Sequence, residues 1–199
     1  MSIATPVPVI SGTKLFDYNF EDRTGRNDDS DWDDIYERLF FRVSRDPVGH
    51  RINIYKVAYR MMRRDKSHWE LEPDVVLEFN ANQSLGQITY GTELYKCTFP
   101  MSRYLKKTSF FGGSSLIRKF VGSDGNEYKW SHRSVQGQEW TCTTGAHETI
   151  VAHYDLLPEG SIAYRISGNN LIVRNRYAGL SIEYLATLII MRQILQYNL

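Results

Sequence analysis

From Glu37 onward, apolar and polar residues alternate with a period of two over much of the chain. Leu39, Phe41 and Val43 alternate with Arg38, Phe40 and Arg42. Arg51–Arg64 extends the pattern: Asn53, Tyr55, Val57, Tyr59 and Met61 share one parity, and Ile54, Lys56, Ala58, Arg60, Met62 and Arg64 share the other. Successive strand side chains point to opposite faces, so this segment predicts a long strand with an aromatic-apolar inner face and a basic outer face. Shorter strands are predicted at Asp74–Phe79, Gln87–Tyr90, Glu93–Phe99, Leu116–Val121, Glu127–Ser131, Gln138–Thr143, Thr149–Tyr154, Ile162–Ile166 and Leu171–Asn175.

Turn residues separate them. Ser123-Asp124-Gly125-Asn126 marks a hairpin, because glycine takes a positive φ without steric cost. Ser167-Gly168-Asn169-Asn170 marks another, and Phe110-Phe111-Gly112-Gly113-Ser114-Ser115 predicts a flexible loop. Strands at such regular spacing imply a sandwich or barrel.

The pattern changes at the C-terminus. Ser181 can cap a helix, with Glu183 in its first turn, and Tyr184–Met191 is apolar nearly all round. Such a helix must be enclosed by protein or lipid. A membrane span needs about 20 apolar residues, more than this uncharged run supplies, so enclosure within the β structure is predicted and no transmembrane span.

The chain has 199 residues, 42% of them hydrophobic and 24% charged, enough for one domain with a full core. Its net charge of +1 argues against a nucleic-acid partner, and it hides an asymmetry. Between Asp17 and Glu37 stand nine acids against Arg23 and Arg26, a net −7 that leaves +8 for the remainder. Residues 1–34 are therefore expected to be an acidic, flexible segment, able to fold back on a basic domain spanning 35–199. Asp29, Asp31 and Asp33 imitate the start of a calcium loop, but Asp34 and Phe40 stand where its glycine and bidentate glutamate belong. No metal site or cofactor is expected. The N-terminus lacks a basic leader region, which predicts a cytoplasmic protein.

The plan and its motifs carry a resemblance. Arg118-Lys119-Phe120-Val121-Gly122-Ser123-Asp124-Gly125-Asn126-Glu127-Tyr128-Lys129-Trp130, the Val151–Tyr154 strand, Leu39–Ser44 and the apolar Glu183–Met191 helix resemble the tubby C-terminal-like superfamily. Within that superfamily the chain looks like an uncharacterised domain family of mushroom-forming fungi (basidiomycetes), over roughly residues 36–197. The resemblance implies an all-β fold: a closed antiparallel barrel of about twelve strands around a hydrophobic C-terminal helix. It also implies a binding or adaptor module rather than an enzyme, since some wider relatives bind phosphoinositides.

Candidate ligand residues follow from charge and parity. Lys56, Arg60 and Arg64 share one strand parity, Arg174 and Arg176 share another, and Lys106 and Lys107 precede the Phe110-Phe111 loop. Together they predict a basic face for anionic phospholipid or phosphoinositide headgroups, with Phe110 and Phe111 inserting into a membrane surface to which the protein would be peripheral. The alternatives are a protein-interaction scaffold without lipid affinity, favoured if these cations are scattered in space, and an enzyme using Cys142 or His153 in a barrel-end cleft. Cys142, His147, His153 and Asp155 are the available reagents, but nothing in their spacing makes a triad, and His147-Glu148 with His153 is not the HExxH zinc motif. Trp130, Trp140 and Tyr128 are expected in the core, and Cys97 and Cys142 as buried free thiols.

Overall fold

Apolar residues alternating at strand spacing find one another across thirteen strands among the described residues. The computed structural model describes residues 16–22, 24, 26, 29–47, 50–57, 72–91, 96–108, 116–155 and 169–199. The strands are β1 (Tyr18–Asp22), β2 (Ser30–Asp34), β3 (Phe40–Arg45), β4 (Arg51–Val57), β5 (Val75–Glu78), β6 (Gln87–Tyr90) and β7 (Cys97–Pro100). After one helical turn, α1 (Met101–Tyr104), come β8 (Lys106–Lys107), β9 (Ile117–Val121), β10 (Glu127–His132), β11 (Gln138–Thr144), β12 (Thr149–Asp155) and β13 (Asn170–Val173). A 3-10 helix, Asn175–Leu180, leads into α2 (Ser181–Tyr197). The strands form one antiparallel sheet in the order β7-β6-β5-β4-β3-β2-β1-β13-β12-β11-β10-β9-β8.

The fold is thus predominantly β with one long C-terminal helix, and the sheet meets that helix from both of its halves. Trp130 of β10 donates its indole N–H to Thr187 Oγ1 at 2.9 Å, and Thr187 donates in turn to the Glu183 carbonyl at 2.7 Å. Phe120 and Tyr128 meet Tyr184 edge-on, and Arg192 lies over the Tyr154 ring. Twelve helix residues are buried, from Ser181 to Ile194. The segment Asn175–Tyr197 is long and apolar enough to cross a membrane, but 72% of its most apolar window is buried inside the protein. Its apolar surface is already removed from water by the sheet.

Several expectations change. The barrel closure is not present in the strand pairing among the described residues: β7 and β8 end the strand order and do not pair with one another. Tyr18–Asp22 and Ser30–Asp34, expected within a flexible acidic segment, are strands in the middle of the sheet, and residue 34 ends a strand of a hairpin rather than a linker. Phe20 and Trp32 carry them into the core, with 0% and 1% of their surface exposed. Two of their buried acids meet cations: Arg38 grips Asp34 with two nitrogens at 2.7 and 3.1 Å, and Arg192 of α2 approaches Asp22 at 3.7 Å. Burial of a carboxylate requires such partners.

The faces of β4 are exchanged. Ile52 and Ile54 are buried, packed between Val43 of β3 and Leu77 and Val75 of β5, whereas Asn53 and Tyr55 are only half-buried. Ser181 does not cap α2. The 3-10 helix runs straight into it, so Ser181 is its first residue and donates to the Ala178 carbonyl at 2.7 Å. The rest of the expected long strand beyond Val57, the strand at Ile162–Ile166 and the Phe110–Ser115 loop lie outside the described residues.

Candidate functional site

The two ends of the sheet face one another across a groove, and local sequence explains why they do not pair. β7 carries Pro100, which removes one N–H from the ladder. Met101 donates its N–H to the Gly86 carbonyl beside β6 at 2.9 Å. Alternation along the strand therefore turns the backbones of Thr98 and Pro100 the other way, toward the groove. The chain then leaves the sheet through α1, which buries Met101 and Leu105 in the core and closes with a Leu105 N–H to Met101 bond of 2.8 Å. It rejoins as β8 for only two residues, Lys106 opposite Lys119 and Lys107 opposite Arg118.

β9 continues past β8 through Phe120 and Val121. At its end Gly122 donates to Asn126 on the β10 side at 2.9 Å, closing the hairpin whose Gly125 takes φ +79°. By the same alternation, the N–H and C=O of Val121 point into the groove, and no strand among the described residues pairs with them.

The groove between β7 and β9 has a volume of about 590 Å³. Thr98, Phe99 and Pro100 form one wall, Lys119, Phe120 and Val121 the other, and Arg103, Tyr104, Lys106 and Glu127 complete it. Phe99 is 42% and Val121 53% exposed. Lys119 is paired with Glu127 at 2.7 Å. Arg103 and Lys106 are exposed, and their side chains have neither hydrogen-bond nor ion-pair partner among the described residues. The site thus offers two unspent cations, apolar walls and two strand edges.

Tyr104 ties this site to the helix. Its ring stacks on Phe99 and tilts against Phe120, each at 5.8 Å between centroids. Its hydroxyl accepts from Tyr90 at 3.2 Å and donates to Glu183 Oε2 at 3.4 Å, while the Ser123 N–H donates to the same oxygen at 3.0 Å. Burial, reinforced by the Glu183 carboxylate, pushes the Tyr104 phenol well above its ordinary range, and burial does the same for Tyr90. Both phenols stay neutral near pH 7 and act as hydrogen-bond anchors rather than proton carriers.

The candidate cations separate in space. Lys56 is exposed on β4, its main-chain N–H bound to Asp74 at 2.6 Å. Arg174, just past β13, is held by Asp17 at 2.6 Å. Arg176 is on the 3-10 helix rather than a strand, 5.8 Å from the Tyr177 ring centre, so strand parity does not relate it to Arg174. Lys106 and Lys107 form β8, and of these five residues only Lys106 lines the groove. Arg60, Arg64, Phe110 and Phe111 lie outside the described residues. Arg103, Lys119, Phe99 and Tyr104 were not singled out by sequence reasoning. The available signal was Pro100 with Arg103 between two predicted strands.

The chemical reagents form no triad: Cys142 of β11 and His153 of β12 are on paired strands, but His153 is opposite Thr141 and so shares its face, which places the Cys142 thiol on the other face of the sheet. Cys142 is fully buried, and that burial pushes its thiol well above the ordinary value, away from the reactive thiolate. His147 lies in the exposed turn before β12, not on a strand face with His153, and His153 Nε2 is 3.2 Å from Asp155. Cys97 is exposed on β7, contrary to the expected burial. Asp29 and Asp31 are ion-paired with Arg42. Trp130, Trp140 and Tyr128 are buried in the core.

Comparison with known proteins places no relative beside this geometry: no family model matches the chain, and neither does any curated protein or solved structure.

Proposed function

We propose that the chain is a non-enzymatic protein-interaction module whose partner docks in the groove between β7 and β9. The observation that carries this reading is the dispersal of the described cations of the expected basic face over β4, β8 and the segment following β13, set against the concentration of unspent groups in the groove. Arg103 and Lys106 attract an anionic partner, and exposed Phe99 and Val121 supply apolar contact. The burial of Cys142 argues against nucleophilic catalysis. The architecture is read as a tubby-like barrel, of the kind found in the fungal family, left open at one seam. There β7, α1 and β8 act as one interrupted strand that pairs first with β6 and then with β9.

A second reading has its own support: the same two cations beside Phe99 suit an anionic phospholipid headgroup at a membrane surface, with the protein cytoplasmic and peripheral. One experiment separates the two. Affinity capture is run with the full chain, with Arg103→Glu/Lys106→Glu, and with the distant control Lys56→Glu/Arg176→Glu. A partner lost by the first variant and kept by the second is expected, with no binding to phosphatidylserine or phosphoinositide vesicles. A partner retained by both variants would sink the groove as the interaction site. Salt-sensitive vesicle binding lost in Arg103→Glu/Lys106→Glu would establish the lipid reading instead.

A further inference from the structure

Resting on the protein-interaction reading, the geometry points to the chemistry of the partner: we propose that the groove takes an extended acidic peptide as an added β-strand, in line with β8 and antiparallel to the free edge of β9.

The backbone argues for a strand. β8 covers β9 only at Lys119 and Arg118, so no described strand covers the edge beyond it. Val121 presents one N–H and one C=O there, and Thr98 presents its own pair from the opposite wall. An extended segment satisfies such groups through main-chain hydrogen bonds, independent of its own sequence, while pockets for alternate side chains select it. β7 is four residues long, about 13 Å at ~3.3 Å per residue, which sets the inserted stretch at about four residues.

The side chains argue for acidity at alternate positions. Lys119 and Val121 share the outer face of β9, and Phe120 turns inward toward Tyr104. A residue of the added strand opposite Val121 therefore stands on the outer face, in line with Lys106 and diagonal to Lys119, within reach of Arg103. A carboxylate fits that place. Its neighbour opposite Phe120 faces Tyr104 and is apolar. A second copy of this chain does not fit: lysines and an edge proline are devices that oppose edge-to-edge pairing, and two basic seams repel. A lipid headgroup needs the cations but leaves both strand edges unused.

The test is selection of phage-displayed random dodecapeptides on the full chain, followed by synthesis of the enriched sequences. Enrichment of peptides with Asp or Glu alternating with apolar residues is expected. Their affinity should fall about tenfold when an alternate backbone nitrogen is methylated, and about tenfold on Arg103→Glu/Lys106→Glu, the scale of one lost or reversed contact. Both protein positions are exposed, so circular dichroism should show the variant folded as the parent. Hydrogen exchange at the Thr98 and Val121 amides should be fast in the free chain and slow in the complex. Slow exchange in the free chain would overturn the proposal, because those edges would already be paired. Peptides that bind without acids, or that tolerate N-methylation, would overturn strand addition while leaving the protein-interaction reading intact. No enrichment at all would mean that Pro100 and the lysines only guard an edge. A partner captured in the preceding experiment would still stand.

Discussion

The β1–β13 junction and the β7–β9 groove both bring two strands side by side, one from segments about 150 residues apart in sequence and the other from near neighbours. The distant pair is the one that closes. Tyr18, Asn19, Phe20 and Glu21 register against Val173, Ile172, Leu171 and Asn170, with Phe20, Leu171 and Val173 buried. Charge finishes the junction: Asp17 accepts from Arg174 at 2.6 Å and from the Asn175 N–H at 3.0 Å, and Arg38 donates to the Phe16 and Asp17 carbonyls, both at 2.8 Å. At the groove β7 carries a proline and its four residues are all exposed, and β8, the described strand that meets this edge of β9, does so for only two residues, with Lys106 opposite Lys119. Like charges opposite one another destabilise a strand pair. Closure thus follows from complementary chemistry at the edge rather than from proximity along the chain.

The sharpest way to break this contrast is to truncate one aromatic on each side. Phe20 is fully buried against Phe41 at 5.2 Å, so Phe20→Ala should destabilise by about 3–5 kcal/mol in urea unfolding. Phe99→Ala, at an exposed wall, should cost less than about 1 kcal/mol. Equal losses would mean that the groove is as much a structural core as the junction is.

A smaller effect is expected from the ion pair that ties β1 to the helix. Asp22→Ala leaves Arg192, largely enclosed, without its carboxylate, and should cost about 3 kcal/mol. Adding Arg192→Met should recover part of that loss, since an apolar side chain needs no counter-ion. No recovery would show that Asp22 acts through Ser30, which donates to it at 2.6 Å, rather than through Arg192.

Much of the fold was legible in the sequence wherever alternation and turn chemistry agreed. Gln87–Tyr90 has the bounds expected from its pattern, and the Asp124-Gly125 hairpin and the buried apolar helix are where they were expected. The acidic strands were not legible. Phe20 and Trp32 are single apolar residues among carboxylates, and the arginines that make burial tolerable, Arg38 and Arg192, cannot be matched to them from a linear pattern. β4 shows another limit: both parities carry apolar residues, and its neighbours Val43, Leu77 and Val75 decide which face turns inward. At the site, Lys106 was among the expected cations but its setting was not. A groove between two strand edges is a property of pairing that fails, and a sequence pattern encodes pairing only when it succeeds.

Asp17 gives a test with a pH signature. Burial raises its pKa, but the Asn175 N–H and the Arg174 guanidinium outweigh this and hold it below the ordinary carboxylate value of 3.8. A depressed native pKa means the contribution to stability is present above the unfolded value and lost as pH falls through the native one. Asp17→Asn should therefore cost up to about 1 kcal/mol at neutral pH, a surface-scale value because the pair is partly exposed. The difference between parent and variant should shrink toward zero near pH 2. A gap that persists there would assign the effect to shape rather than charge.

The smallest effect should have the opposite sign. Lys106→Glu replaces a lysine facing Lys119 with a carboxylate, turning a like-charged cross-strand pair into an attractive one. Because Lys119 is already engaged by Glu127, the gain should be only about 0.2–0.5 kcal/mol, and salt should erase it. The same change should weaken acidic-peptide binding about threefold, less than the double variant with Arg103→Glu. If the variant is less stable than the parent, the lysine supports the fold and the groove's charge needs no functional explanation. If it is more stable and binds less, the edge carries a charge that opposes its own closure, as expected of a site kept open for a partner.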